Sequence, residues 1–320
     1  MEPVWIGAED VRRLLPMDRC IDAMALAMTG LRAGRIVLPQ RSFSPLADGS
    51  GTLGLMPGSS LEPEVYGAKV ISLHPENPRH ARPVIQGFVA LFEHETGRPM
   101  AFVEGASLTA IRTAAASGLA TRELARSDAR TLGVFGAGVQ AGTHLDAVLA
   151  VRAIEEVRVW ARDEARAAAF CRLQSERHQV ELRPASPEDA AACDVVCTVT
   201  GSPEPILRGE WVRTGAHVNL VGAHTLSTRE ADAALMRRAE IYVDTWESAK
   251  AESGDVDLAV REGAIAWDDV RGEIAEVLGG EADGRTGDEQ ITVYVSLGVA
   301  AQDLVAAELV YRRFVEEGSS

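Results

Sequence analysis

Gly136, Gly138 and Ala141 form a G-x-G-x-x-A pattern within Thr131-Leu132-Gly133-Val134-Phe135-Gly136-Ala137-Gly138-Val139-Gln140-Ala141. Glycines at this spacing let a backbone approach a pyrophosphate and aim a helix N-terminus at it. The flanking residues supply the required context. A buried strand leads into the turn, and Leu145, Val148 and Leu149 recur at helical spacing after it. Val157-Arg158-Val159-Trp160 then reads as a second strand, closing a βαβ unit of about 30 residues. The pattern predicts a dinucleotide site met by Gly136, Gly138, Val139 and Gln140.

The end of the second strand bears on which dinucleotide. An acid there holds the ribose 2′-hydroxyl of NAD(H). Here the strand ends Trp160-Ala161-Arg162-Asp163, with Ala161 in the acid's place. Arg162 can stack on adenine or pair with a 2′-phosphate. This favours NADP(H) and leaves NAD(H) open. Two other readings also stay open: Arg162 as a solvated turn residue with Asp163 capping the next helix, or Asp163 as the ribose ligand.

Three cations could grip a small anionic substrate. Arg41 lies in Leu38-Pro39-Gln40-Arg41-Ser42, Lys69 in an otherwise small or apolar strand, and Arg112 among the small residues of Ser107–Ala116. A charge set among such neighbours needs a partner. A substrate carboxylate is one candidate; an internal salt bridge with one of the 47 acidic residues is the other. His74 and His224 are acid–base candidates, or structural hydrogen-bonding residues at strand ends. No G-x-S-x-G elbow supports a serine hydrolase.

The elements that must position these groups fall into two regions. Short strands at Val180–Leu182, Asp194–Val199, Ala216–Val221 and Ile241–Asp244 alternate with helices at Pro187–Ala192 and about Thr228–Ala239. This predicts a doubly wound parallel sheet of the Rossmann type. Loops after its strands form the ligand crevice, which places Thr200, Gly201, Gly222 and His224 near cofactor or substrate. Residues 1 to about 115 instead carry extended runs at Gly51–Pro57, Tyr66–Ile71 and Pro83–Phe92, with a helix from about Met17 to Ala33. They predict a second, mainly antiparallel α+β domain, which carries the three candidate substrate cations. A final helix, about Gln302–Glu317, returns to it. The expected division is 1–115 with 299–320, and 116–298 for the NAD(P) domain, with the active site in the cleft between them.

Composition narrows the class. The chain has 320 residues, 46% hydrophobic and 25% charged, with a formal net charge of −15. That charge disfavours nucleic acid and anionic membrane as partners. No apolar run approaches the ~18 residues of a membrane span, and the N-terminus lacks a basic-then-apolar signal, so a cytoplasmic protein is expected. Cys20, Cys171, Cys193 and Cys197 read as buried reduced thiols, and no metal site is expected.

The chain resembles the ornithine cyclodeaminase/mu-crystallin family over essentially its full length. The resemblance rests on Tyr66-Gly67-Ala68-Lys69, His74-Pro75-Glu76-Asn77, Arg112-Thr113-Ala114-Ala115-Ala116-Ser117, Gly136–Ala141 and Gln290–Gly298. It implies a homodimer built through the N-terminal domain, with Arg41, Lys69 and Arg112 around a substrate carboxylate. It also implies that Thr113 touches the cofactor and that Ser296-Leu297-Gly298 lies near the nicotinamide. Cyclodeaminases of the family carry a glutamate and an aspartate where this chain has Gly54 and His224. Ornithine cyclisation needs acid–base groups at its amines, so the departure points elsewhere. The expected activity is NADP(H)-dependent reduction of a cyclic ketimine, pyrroline-2-carboxylate or piperideine-2-carboxylate, with Lys69, Arg112 and His224 as catalytic candidates. The alternatives are alanine dehydrogenase-like amination of pyruvate, ornithine cyclodeamination, opine-type condensation, and a non-catalytic binding protein of the mu-crystallin type.

Overall fold

The structure, a computed structural model, describes residues 2–80 and 82–318. The chain divides into two compact units, Met1–Arg112 with Val299–Ser320, and Thr113–Gly298.

The first unit opens with β1 (Val4–Ile6), α1 (Ala8–Leu14) and α2 (Met17–Arg32), followed by β2 (Ile36–Val37), β3 (Ser42–Pro45), β4 (Thr52–Leu61), β5 (Glu64–Leu73), β6 (Ile85–Phe92) and β7 (Pro99–Glu104). Then α3 (Gly105–Leu124) carries the chain into the second unit. That unit contains β8 (Thr131–Phe135), α4 (Val139–Val151), β9 (Glu156–Trp160), α5 (Glu164–Ser175), β10 (Glu181–Pro184), α6 (Pro187–Ala191), β11 (Val195–Thr198) and β12 (His217–Leu220). It ends with α7 (Ala233–Arg238), β13 (Ala239–Val243), α8 (Trp246–Glu252), α9 (Gly254–Arg261), β14 (Val270–Glu273), α10 (Ile274–Gly279) and β15 (Ile291–Val295), and α11 (Ala300–Gly318) belongs again to the first unit.

In the first unit seven strands run β1-β7-β6-β5-β4-β2, with β3 also paired to β4. All pairings are antiparallel except β1 with β7. Along β5 the side chains of Val65, Lys69 and Ile71 are buried at alternate positions, with Gly67 between them, as the period of a strand requires. α11 packs against β4, β5, β6 and α2, so this face is the unit's core. The opposite face carries Leu53, Leu55, Val70, Phe88, Phe102 and Trp5, all partly or largely exposed.

The second unit is an eight-stranded parallel sheet in the order β10-β9-β8-β11-β12-β15-β13-β14. Strand order reverses between β8 and β11, the topological switch point at which such sheets bind ligands. Registers Phe135↔Thr198, Thr198↔Leu220 and Leu220↔Val295 bring Gly136, Val199, Val221 and Ser296 into one row beyond the strand ends. Valines and small residues on both faces reflect burial on both sides, as in parallel sheets generally.

Two expected boundaries differ. The helix expected at Thr228–Ala239 starts only at Ala233, because Ala231 is held in a parallel bridge with Leu207 and Asp232 caps the helix by accepting from the Leu235 amide. The strand expected from Pro83 begins at Ile85; proline has no N–H to give to a ladder.

Candidate active site

The nucleotide-binding features assemble within the second unit. Gly136 ends β8 with φ of 129°, a conformation suited to glycine, and Val199 lies close against it. The space around Gly138 is open, so the backbone there is accessible. No side chain caps the N-terminus of α4, where Val139 is 73% exposed. These features face a cavity of about 640 Å³ lined by Gly136, Gly138, Arg162, Arg166, Thr200 and Gly201, among others. Oε1 of Gln140, just after the turn, and Oγ of Ser296, after β15, are buried and without a hydrogen-bond partner among the described residues. Glycine turn, helix end, cavity and orphaned polar atoms together fit a dinucleotide.

Arg162 is exposed and lines the cavity, and Arg166 joins it from the first turn of α5. Sequence reasoning missed Arg166. Asp163 caps α5, accepting from the amides of Ala165 and Arg166 at 3.0 and 3.3 Å. One of the two alternative readings of that turn therefore describes Asp163, while Arg162 remains at the cavity wall.

Thr200 and Gly222 stand differently from expectation. The Thr200 amide and hydroxyl both donate to Glu230 Oε1, at 2.8 and 2.5 Å, and the Gly222 amide donates to Glu230 Oε2 at 2.7 Å. These donors are therefore engaged within the protein, and Gly222 does not line the cavity. Glu230 is fully buried; burial pushes its carboxyl upward against the pull of these donors. At the other side of the strand row, buried Asp244 accepts from the amides of Leu297 (2.9 Å) and Gly298 (2.7 Å). It thereby fixes the loop carrying Ser296 and Gly298. Neither acid was found from the sequence.

His224 is exposed, its Nδ1 3.1 Å from the Gly222 carbonyl. Thr113 follows Arg112 on α3 and is half-buried.

The first unit holds the cations. Lys69 Nζ donates to Thr109 Oγ1 and to Asp303 Oδ1, both at 2.8 Å. Arg112 Nε donates to the same Asp303 oxygen at 3.1 Å, and its Nη1 to Gln302 Oε1 at 2.9 Å. Lys69 is 5%, Arg112 7% and Asp303 2% exposed. The internal-salt-bridge reading thus holds for both cations, yet one carboxylate serves two of them. Arg112 Nη2 makes no hydrogen bond to any described residue. Burial lowers the Lys69 pKa, with nearby Arg112 acting in the same direction and Asp303 partly opposing. Burial alone would raise Asp303, but the charges of Arg112 and Lys69 hold it below the usual carboxylate range. With both cations protonated, the buried cluster holds two positive charges against one negative.

Local sequence explains this arrangement. Thr109 and Arg112 sit one turn apart on α3, and Lys69 occupies a core-facing position of β5. Asp303 lies in the first turn of α11, where the helix dipole favours a carboxylate. Sequence reasoning missed it, although Gln302-Asp303 interrupts the apolar run Val299–Ala307. Arg41 precedes β3, half-buried, with its guanidinium 5.9 Å from the Phe43 ring, and it is not among the hydrogen-bond partners of Lys69, Arg112 or Asp303. At Gly54 a Cβ would come within 2.8 Å of both Ile71 and Phe43, so the strand has no room for a glutamate as it stands. The four cysteines are free and buried, and among the described residues no cluster suited to a metal ion occurs. Among the described residues no helix is long and apolar enough to cross a membrane.

Comparison with known proteins bears on the family and the fold. The sequence profile of the ornithine cyclodeaminase/mu-crystallin family matches residues 1–318. A Delta(1)-pyrroline-2-carboxylate reductase of Bacillus cereus is 35% identical over 316 residues, 98% of this chain and 97% of the relative. The solved Delta(1)-pyrroline-2-carboxylate reductase of Thermococcus litoralis, in complex with NADH and L-proline, superposes with a TM-score of 0.93 at 34% identity, covering 98% of each chain. An archaeal alanine dehydrogenase dimer with bound NAD superposes with a TM-score of 0.92 at 33% identity, covering 99% of this chain and 98% of that one.

Proposed function

Because this chain belongs to the ornithine cyclodeaminase/mu-crystallin family, as an NAD(P)-dependent reductase or dehydrogenase, we propose that it reduces a small cyclic ketimine acid. The favoured substrates are pyrroline-2-carboxylate and piperideine-2-carboxylate, giving proline or pipecolate. The observation that carries this reading is the surplus positive charge of the Lys69–Arg112–Asp303 cluster. A substrate carboxylate neutralises that surplus and takes the remaining donors of Arg112 and Lys69.

In this mechanism Arg112, braced by Asp303 and Gln302, holds the carboxylate and so fixes the neighbouring C=N carbon. Arg41 is a further carboxylate ligand. A reduced nicotinamide held by the glycine turn would supply the hydride for that carbon. Lys69 Nζ, with its lowered pKa, gives a proton to the imine nitrogen, so C=N becomes CH–NH with one hydride and one proton added. Asp303 steadies the ammonium before transfer. His224, exposed on the loop after β12, is a second proton source.

Arg162 and Arg166 at the cavity wall, with Ala161 in place of an acid, support preference for NADP(H) over NAD(H). Thr113, Ser296 and Gly298 complete the cofactor contacts in this reading. The uncovered apolar face of the first unit supports a homodimer built on that sheet. Its residues Leu53 and Leu55 are 47% and 42% exposed. The division into a substrate and dimerisation domain and a Rossmann cofactor domain, and a reducing cytoplasmic setting for four free thiols, belong to the same reading.

Absence of the cyclodeaminase carboxylates, and the crowding at Gly54, weigh against ornithine cyclisation. Purified protein should oxidise NADPH rapidly with a cyclic ketimine. An absolute requirement for ammonium with pyruvate would instead assign an alanine dehydrogenase.

A further inference from the structure

Glu230 joins two loops that leave neighbouring strands of the nucleotide-binding sheet. Its Oε1 accepts from the amide and hydroxyl of Thr200, beyond β11, and its Oε2 accepts from the amide of Gly222, beyond β12. The residue itself is anchored on three sides. Its carbonyl accepts from the amides of Ile206 and Leu207, both at 2.9 Å, and its amide donates to buried Asp255 at 2.9 Å. The fit is close, because a Cβ on Gly222 would lie 2.6 Å from Glu230 Oε2 and 1.9 Å from the Thr200 carbonyl. Thr200, Gly201 and Ser202 line the nucleotide cavity, and His224 rests on the Gly222 carbonyl. All three groups held by the carboxylate are neutral donors, so both oxygens must act as acceptors.

Building on the nucleotide reading above, we propose that Glu230 is a positioning residue that sets the cofactor-cavity wall and registers it against the His224 loop. The carboxylate is suited to this task, since a neutral amide offers only one acceptor oxygen. In Glu230→Gln the side-chain NH₂ must face donors, either the N–H of Gly222 or the N–H and hydroxyl of Thr200. One loop then loses its anchor while the side chain keeps its size.

The test is direct titration of NADPH into the purified protein, followed by nicotinamide fluorescence without imine. Glu230→Gln should weaken NADPH binding about tenfold, while the KM for the imine changes less than twofold. Thr200→Val, which removes one of the three donors, should weaken binding about threefold, and Thr200→Ser should restore it. The double variant should bind no more weakly than Glu230→Gln alone, because the Thr200 hydroxyl acts through the acid. Unchanged NADPH binding in Glu230→Gln, or additive losses in the double variant, would overturn the proposal. Should Glu230→Gln fail to fold, the Thr200→Val and Thr200→Ser pair decides: equal binding by both refutes it. If the unmodified protein binds neither NADPH nor NADH, the fault lies in the nucleotide reading itself.

Discussion

Asp303→Asn removes the single negative charge between Lys69 and Arg112 while keeping the side chain's shape. At an effective dielectric of about 20, the 2.8 and 3.1 Å pairs are each attracted by roughly 5–6 kcal/mol. Desolvation offsets much of this, and removing one partner of a buried ion pair costs about 3–5 kcal/mol net. Borne by Lys69 alone, that equals roughly a 10²–10⁴-fold change in its protonation equilibrium. The Lys69 pKa, already lowered by burial, falls further in the variant. Between that value and the ordinary lysine value the unfolded chain holds a proton that the folded chain lacks. Stability therefore rises with pH there, and the variant's stability deficit should shrink as pH rises toward the ordinary lysine range. The activity deficit should run the other way, because Lys69 loses the proton it must donate. Melting curves and kcat/KM on pyrroline-2-carboxylate, measured over that range, read both trends. Activity within threefold of the unmodified protein throughout, or a stability deficit that grows with pH, would refute the reasoning.

Lys69→Ala should lower kcat/KM at least 100-fold and leave NADPH affinity within twofold, as titration and steady-state kinetics can show; equal loss of both would make Lys69 structural. Arg162→Ala should reduce the preference for NADPH over NADH about tenfold in kcat/KM, the loss of one charge-assisted contact. Gly54→Glu should lower stability by about 1–3 kcal/mol, through crowding against Ile71 and Phe43, without producing ammonia from ornithine. Burial lowers His144 to about 4 and His217 to about 3; stability they contribute at neutral pH is lost as pH falls below about 6.5. His144→Gln should flatten acid unfolding measured by circular dichroism over that range.

The proposed nucleotide site was legible because its chemistry is local. A glycine turn between β8 and α4 needs only neighbouring residues, and strand periodicity located β9, β11, β12 and β13 within a residue or two. Small and apolar neighbours marked Lys69 as a charge in need of a partner. Its partner was hidden because Asp303 lies 234 residues away along the chain, and only the packing of α11 over β5 brings the two together. Glu230 and Asp244 were hidden for a similar reason. Each serves backbone amides, which carry no sequence signature, on a loop after another strand. The misplaced start of α7 has a local cause: the segment before it reads as helical, but the Leu207–Ala231 bridge holds it extended.

The most direct test of the central claim is to supply NADPH deuterated at the transferred position with pyrroline-2-carboxylate, and to analyse the product by mass spectrometry. Hydride transfer to the imine carbon predicts proline carrying one deuterium, bound at Cα. Proline without deuterium, or no proline from the imine together with ammonia release from ornithine, would contradict it.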